Sequence, residues 1–518
     1  MNIDAPANRH GTAAPSAQPI SKSHNSHPTA AVGSVGSSST SPGRRQVNPK
    51  VLVAIASHGT KNQRFLDRLL DEYRSMRRHD VSIVVLSNIP KNLGPDVEVK
   101  VGLPTKNPWS LPFGHKELFA TRSQEYDLFI YTEDDTLITE RNLDAFAEVT
   151  RILPEDFIAG FMRYELAPDG QKFYSNMHSH YHWDPRSVLR FGQYLFAYHT
   201  NEHGACFILT RAQLHKAIAS GGFLLPPRSD RYDMLVTAAT DPYTQCGMKK
   251  FICISRLDDF CLHHLPNVYC GKLGLDANLG KREIERLAAF ADQGDVDSMS
   301  PLFEPLPLRD GDRWNKKYYE NQRDDVLRCV PVDARRVLSV GCGCASTEAE
   351  LVRRGMEVVA IPLDSIVKIT AESKGLTVLA PDFELAAKQL EGQRFDCILI
   401  LDILQQLPDP PAIVRLFRRF LRNDGTVLVS VPNWNYLGTV RQRLTSQGRQ
   451  LLQYRATPQT LGVHRTTKSC VVGWLRQSGL HQIQPYWVAA ERWRNIRRWA
   501  LSLADEYLCR NLLVAAKR

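Results

Sequence analysis

The sequence predicts an α/β protein built from two successive parallel-sheet domains. Three observations carry that prediction. Short, continuous apolar runs that read as buried strands recur through the chain and alternate with helical spacing. The pattern breaks once, in a Pro/Gly/Ser-rich stretch near residue 300, and then restarts with a strand entering a glycine turn, Val340-Gly341-Cys342-Gly343. At 518 residues the chain also exceeds what one ordinary core accommodates.

Composition narrows the class. Hydrophobic residues make up 43% and charged residues 23%, which are globular values, and the net charge is +10. That charge suits acidic partners such as nucleotides or anionic lipid, but no nucleic-acid module stands out. The 11 cysteines form no CxxC pairs, so reduced thiols in a cytoplasmic protein are expected. No apolar run has membrane-spanning length, and the first residues lack the apolar stretch of a secretory signal. Residues 1–48 contain neither Leu nor an aromatic ring, and are expected to be a disordered tail.

Element by element, Val51–Ala56 reads as a strand, followed by Ser57-His58-Gly59 and a helix carrying Phe65, Leu66, Leu69 and Leu70. Ser82–Ser87 is the second strand and Val97–Val101 a shorter third. A loop, Asn107–Lys116, leads into a helix with Phe119 and Arg122. Leu128–Tyr131 is the strand that matters most, because it stops on Glu133, Asp134 and Asp135. Three adjacent acids at the carboxyl end of a buried strand call for a neutralising partner, and a hard divalent cation is the usual one. A solvated turn is the plainer alternative.

Further on, Phe173, Tyr174, His178, His180, Tyr181, His182 and Trp183 form a segment suited to stacking on a sugar, or to packing on the sheet. A strand follows the turn at Asn201–Ala205. Asp230 and Asp233 open a helix that runs toward Gly247, and Lys250–Ile254 is the next strand. His263 and His264 follow it, and 275–295 reads as another helix.

In these features residues 49–294 resemble GT-A glycosyltransferases of the family-2-like group. The resemblance implies a metal-dependent glycosyltransferase moving a sugar from a nucleotide-sugar donor to a glycan or lipid-linked acceptor. It implies Mn²⁺ or Mg²⁺ on Asp135 and Asp134 with His263 or His264. It places Lys116 or Arg122, with Glu133 and Asp134, at the donor. Asp233 becomes the catalytic base, with Asp230 and Asp241 as alternatives, and inversion follows only if that base holds. The family's acid after the second strand is missing, since Leu86-Ser87-Asn88-Ile89-Pro90 has none.

Residues 295–312 read as the linker and 313–518 as the second domain. Its strands are expected at Arg336–Val340, Val358–Ile361, Phe395–Ile400, Thr426–Val431 and Asn511–Ala516. With Tyr318–Arg323, Asp382, Asp402, Val431-Pro432-Asn433 and His464–Thr467, this stretch resembles class I SAM-dependent methyltransferases. That implies S-adenosylmethionine held at Gly341, Gly343, Asp382 and Asp402. Against the family pattern, Ser339 and Pro362 replace two acids, and Gln405-Gln406 replace a Glu-His pair. Losing the ribose acid removes charged hydrogen bonds worth about 1.5–3 kcal/mol each, so a weakened or silent methyltransferase is expected. The alternative function is methylation of a sugar or glycan by this domain, or a silent glycan-binding protein. The basic, aromatic stretch Arg492–Leu501 suits peripheral contact with the inner face of a membrane, or packing on the sheet.

Overall fold

The computed structural model describes residues 48–175, 180–270, 274–293, 300–304, 314–438, 463–489 and 505–518. His178, most of the expected linker and the stretch Arg492–Leu501 lie outside the described residues. Asn48–Arg518 forms one contiguous body of contacts.

The first sheet contains β1 (Lys50–Ser57), β2 (Asp80–Ser87), β3 (Val97–Val101) and β4 (Leu128–Glu133), all parallel, in the order β4-β1-β2-β3. β1, β2 and β4 are mostly apolar runs, as strands covered on both faces require, while the edge strand β3, Val-Glu-Val-Lys-Val, alternates and is largely exposed. The strand Cys206–Thr210 adds to β4 antiparallel, so the sheet is mixed and not purely parallel as expected. The chain winds from β1 to β2 and β3 on one side, then returns to place β4 on the other. This puts a topological switch point between β1 and β4, where open α/β sheets form a crevice. The three acids stand at its mouth.

Two smaller sheets extend this half. One orders Phe157–Ala159, Lys249–Cys253, Tyr194–Ala197 and Leu189–Phe191. The other joins Gly274–Asp276, Lys172–Ser175, Met162–Leu166, Cys261–His264 and Thr136–Leu137. In the latter, His264 pairs with Thr136, which brings the histidine beside the acids.

A seven-stranded sheet builds the C-terminal region. Its order is Thr377–Val378, Glu357–Pro362, Arg336–Cys342, Phe395–Leu401, Leu421–Pro432, Cys509–Lys517, His481–Ala489. The first five strands are parallel, and Cys509–Lys517 inserts antiparallel to its neighbours. The two halves touch through the helix Ala277–Gln293, which lies against the helix Val367–Ser373. There Tyr319 donates its hydroxyl to both oxygens of Glu283 (3.0 and 3.1 Å), and His182 stacks on Tyr318 with centroids 3.7 Å apart. Ile366 completes the seam by packing into the core of the first half. Among the described residues no helix is long and apolar enough to cross a membrane.

Candidate active sites

The acid cluster is organised by β1 and β4 running in register, Ala56 beside Glu133. Asp134 turns inward and is buried. Its two oxygens accept from Ser57 Oγ (2.7 Å) and Asn62 Nδ2 (2.8 Å). Burial raises its pKa against those two hydrogen bonds, and so does Asp135. Asp134 thus anchors the loop after β1. Glu133 is pushed up to about 8, by burial first and then by Asp135, with Arg163 opposing. Near neutral pH it therefore holds its proton.

Asp135 is the acid left to meet a ligand. Asn62 Nδ2 lies 3.3 Å from it, and His264 Nε2 lies 3.6 Å away. The other ring nitrogen of His264 is 2.6 Å from Glu165 Oε1, and Glu165 also accepts the Tyr269 amide at 2.8 Å. A carboxylate on one imidazole nitrogen fixes the tautomer that leaves the other nitrogen's lone pair exposed, as in metal-bound histidines. His263 takes no part. It stacks on Tyr164 and meets Asn267 at 3.0 Å, so of the two histidines the structure selects His264. Among the described residues no group of three His, Cys, Asp or Glu side chains is close enough to hold a metal ion by itself. That corrects the expected set of Asp134, Asp135 and a histidine, because Asp134 is already satisfied.

The other expected donor and catalytic residues fall as follows. Lys116 is buried and its ammonium is paired with Asp241, which is also bound by Arg228 at 2.6 Å. The expectation that Lys116 meets a diphosphate is corrected accordingly, and Asp241 is no spare base. Arg122 lies near the surface in a pair with Glu98 (2.8 and 2.9 Å) at the β3 edge, so it is corrected too. Asp233 is exposed, caps the helix Met234–Thr244 through the Val236 amide (3.0 Å), and its charge acts on Glu133. Asp230 accepts from Gln245 at 2.8 Å. In the aromatic segment His180 packs on Tyr181 and His182 on Tyr318, so neither joins a metal cluster.

In the C-terminal sheet, the next-to-last residue of the strand Arg336–Cys342 is Gly341, whose φ of +77° suits glycine. A Cβ on Gly341 would stand 2.8 Å from Ile403, and one on Gly343 2.5 Å from the Tyr318 carbonyl. That carbonyl accepts the Cys344 amide at 2.6 Å, so the Trp314–Glu320 segment lies across the glycine turn. Gln405 and Gln406 hold the same segment, through Trp314 O (2.9 Å) and the Lys316 amide (2.7 Å). Ser339 donates to buried Glu348 at 2.7 Å, so an acid does stand beside the first strand, supplied by the following helix.

Asp402 sits at φ +56°, held by Ser430 (2.7 Å) and Arg323 (2.7 Å). Arg323 also grips Asp325 through two bonds. Each oxygen of Asp402, an expected cofactor residue, thus accepts one hydrogen bond within the protein. Asp382 caps the helix Phe383–Gln389 through the Leu385 amide (2.7 Å). Sequence reasoning missed Asp364. It lies two residues past Pro362 and is 1% exposed. One of its oxygens accepts the Ile366 and Val367 amides, and the other has no hydrogen-bond partner. Burial pushes its pKa up to about 7. An acid so close to the end of the second strand was the available signal. Glu165 was also missed; its signal was the charged, alternating Arg163-Tyr164-Glu165 in a strand.

Comparison with known proteins bears on this half. A family model described as a methyltransferase domain matches residues 312–484. Residues 312–484 are thus similar to methyltransferase domains. The ubiquinone biosynthesis O-methyltransferase of Xylella fastidiosa (strain 9a5c) is 29% identical over 180 residues, 34% of this chain and 72% of that protein. The protein of the same name from Cereibacter sphaeroides (strain ATCC 17029 / ATH 2.4.9) is 30% identical over 115 residues, 21% of this chain and 47% of its own. Among solved structures, a SAM-dependent methyltransferase from Archaeoglobus fulgidus is 14% identical with a TM-score of 0.29, covering 38% of this chain and 90% of that one. Magnesium protoporphyrin IX methyltransferase from Synechocystis PCC 6803 is 15% identical with a TM-score of 0.27, covering 38% and 81%. The domain assignment rests on the family match and on the strand order, not on these last two likenesses.

Proposed function

We propose that the chain is a SAM-dependent O-methyltransferase acting on a sugar or glycan hydroxyl. The match of residues 312–484 to methyltransferase sequences carries this reading. The residues fit the cofactor once Asp364 is counted. The unpartnered oxygen of Asp364 would accept from the ribose hydroxyls in place of position 362. Bound S-adenosylmethionine supplies an electrophilic methyl group on sulfur. The chain's own residues hold the site in shape. Arg323 locks Asp402 and Asp325, while Lys316 and Glu320, a buried pair at 2.7 Å, fix the covering segment. Calorimetric titration with S-adenosylmethionine is expected to show saturable binding, about tenfold weaker in Asp364→Asn for the loss of one charged hydrogen bond. A wild-type protein that gives no binding heat would end this reading.

A second reading is favoured by one observation, the Asp135–His264–Glu165 chain at the β1/β4 crevice. Together with the β4-β1-β2-β3 order, it supports a GT-A-like site for metal-dependent glycosyl transfer from a nucleotide-sugar to a glycan or lipid-linked acceptor. Two protein ligands suffice for Mn²⁺ or Mg²⁺ when substrate phosphates and water complete the shell. Asp233, exposed near Glu133, would take the acceptor's proton. Mn²⁺-stimulated hydrolysis of nucleotide-sugars is expected, and it should fall at least a hundredfold in Asp135→Ala. Hydrolysis equal in both proteins, or none in either, would rule this second reading out.

A further inference from the structure

A buried ammonium needs a compensating negative group. Lys250, in the strand Lys249–Cys253, is 4% exposed. Its ammonium reaches only the main-chain carbonyls of Asn201 (3.4 Å) and Glu202 (3.3 Å). Among the described residues no carboxylate stands within salt-bridge reach of it. Glu202, whose charge acts on it through space, gives its carboxylate to Arg231 at 3.0 Å. Burial therefore lowers the Lys250 pKa to about 8.

The chain has made room for this cation. A Cβ on Gly160 would fall 2.3 Å from the Lys250 stem, and one on Gly204 would lie 3.6 Å from its Nζ. The side chain lines a pocket at the seam between the halves, shared with Arg163, Trp183, His199, Glu283 and Tyr319. The pocket's other titratable groups do not cancel the charge. His199 is held neutral, near 3, by burial and by Lys250 itself. Glu283 is kept protonated, its pKa pushed up to about 8 by burial. The pocket thus combines a positive group lacking an acidic partner with an aromatic wall and hydrogen-bonding rings.

We propose that this pocket binds the anionic group of a sugar, a carboxylate or a phosphate, with Lys250 as its counter-ion. The proposal holds whichever half carries out the group transfer. It is tested on the full chain by thermal denaturation and calorimetry with glucuronate and with inorganic phosphate, against chloride at equal ionic strength. At least one anion is expected to raise the unfolding midpoint of the wild type. Response to glucuronate alone identifies an acidic sugar, and response to phosphate alone a phosphorylated one. Lys250→Met is expected to bind that anion at least tenfold more weakly. Without ligand it should unfold no earlier than the wild type, because a buried charge has been replaced by a chain of similar shape. Lys250→Arg should retain a measurable response. The proposal is overturned if neither anion shifts the wild type, or if Lys250→Met responds like the wild type. It is equally overturned if Lys250→Met unfolds earlier while the wild type shows no anion response, which would leave Lys250 only a supporting contact to the 201–202 turn.

Discussion

Asp241→Asn is expected to destabilise the protein by about 3–5 kcal/mol, the range for breaking a buried ion pair from one side. Asp241 has no exposed surface and faces two cations. The Lys116 ammonium is paired with it, and Arg228 holds it by two hydrogen bonds, 2.6 and 3.2 Å. Lys116 is itself buried, lying over the Phe113 ring with its nitrogen 4.5 Å from the centroid. Burial lowers its pKa, and Asp241 is the main force opposing that. Removing the carboxylate charge leaves the buried Lys116 ammonium and the partly exposed Arg228 guanidinium facing a neutral amide. Lys116→Met in the same chain should recover part of the loss, because the double variant no longer buries an unpaired ammonium. Urea unfolding of the single and double variants measures both effects. An Asn variant as stable as the wild type would show that the network contributes nothing.

The same pair marks where sequence reading stops. Lys116 and Asp241 are 125 residues apart, and nothing local in either segment announces that they meet. The strands were legible for a physical reason. β1 and β4 are buried on both faces and appear as apolar runs, and Arg336–Cys342 is one too apart from Ser339. The strand His481–Ala489 was not seen, because it sits at the sheet edge, where Gln482, Gln484 and Pro485 are tolerated. The acid cluster was legible as three carboxylates ending a strand. Their separate roles depend on Ser57 and Asn62 from the β1 loop and on His264, a strand more than a hundred residues later. For the cofactor half, the missing acid at Pro362 was visible. The buried carboxylate two residues on was not, since a helix-start aspartate reads as an ordinary cap until its second oxygen is found without a partner.

Glu283→Gln is expected to flatten the stability profile between about pH 5 and pH 8. Glu283 is wholly buried in the seam, with both oxygens on the Tyr319 hydroxyl. Burial pushes its pKa up to about 8, and Asp364 across the seam adds to the shift while being raised to about 7 itself. The native state therefore keeps protons that the unfolded chain releases near pH 4–5. Below that range the two states are equally protonated and the acids cost nothing through ionisation. As pH rises toward 8 the unfolded state gains, and stability falls at up to ~1.4 kcal/mol per pH unit for each group. A glutamine keeps an acceptor for Tyr319 and has no proton to lose, so the variant should be the more stable protein at pH 8 and differ little at pH 4.5. Thermal denaturation across that range decides the matter. Parallel profiles for variant and wild type would mean that Glu283 ionises freely in the folded protein, and that the contact between the two halves contains enough water to carry the charge.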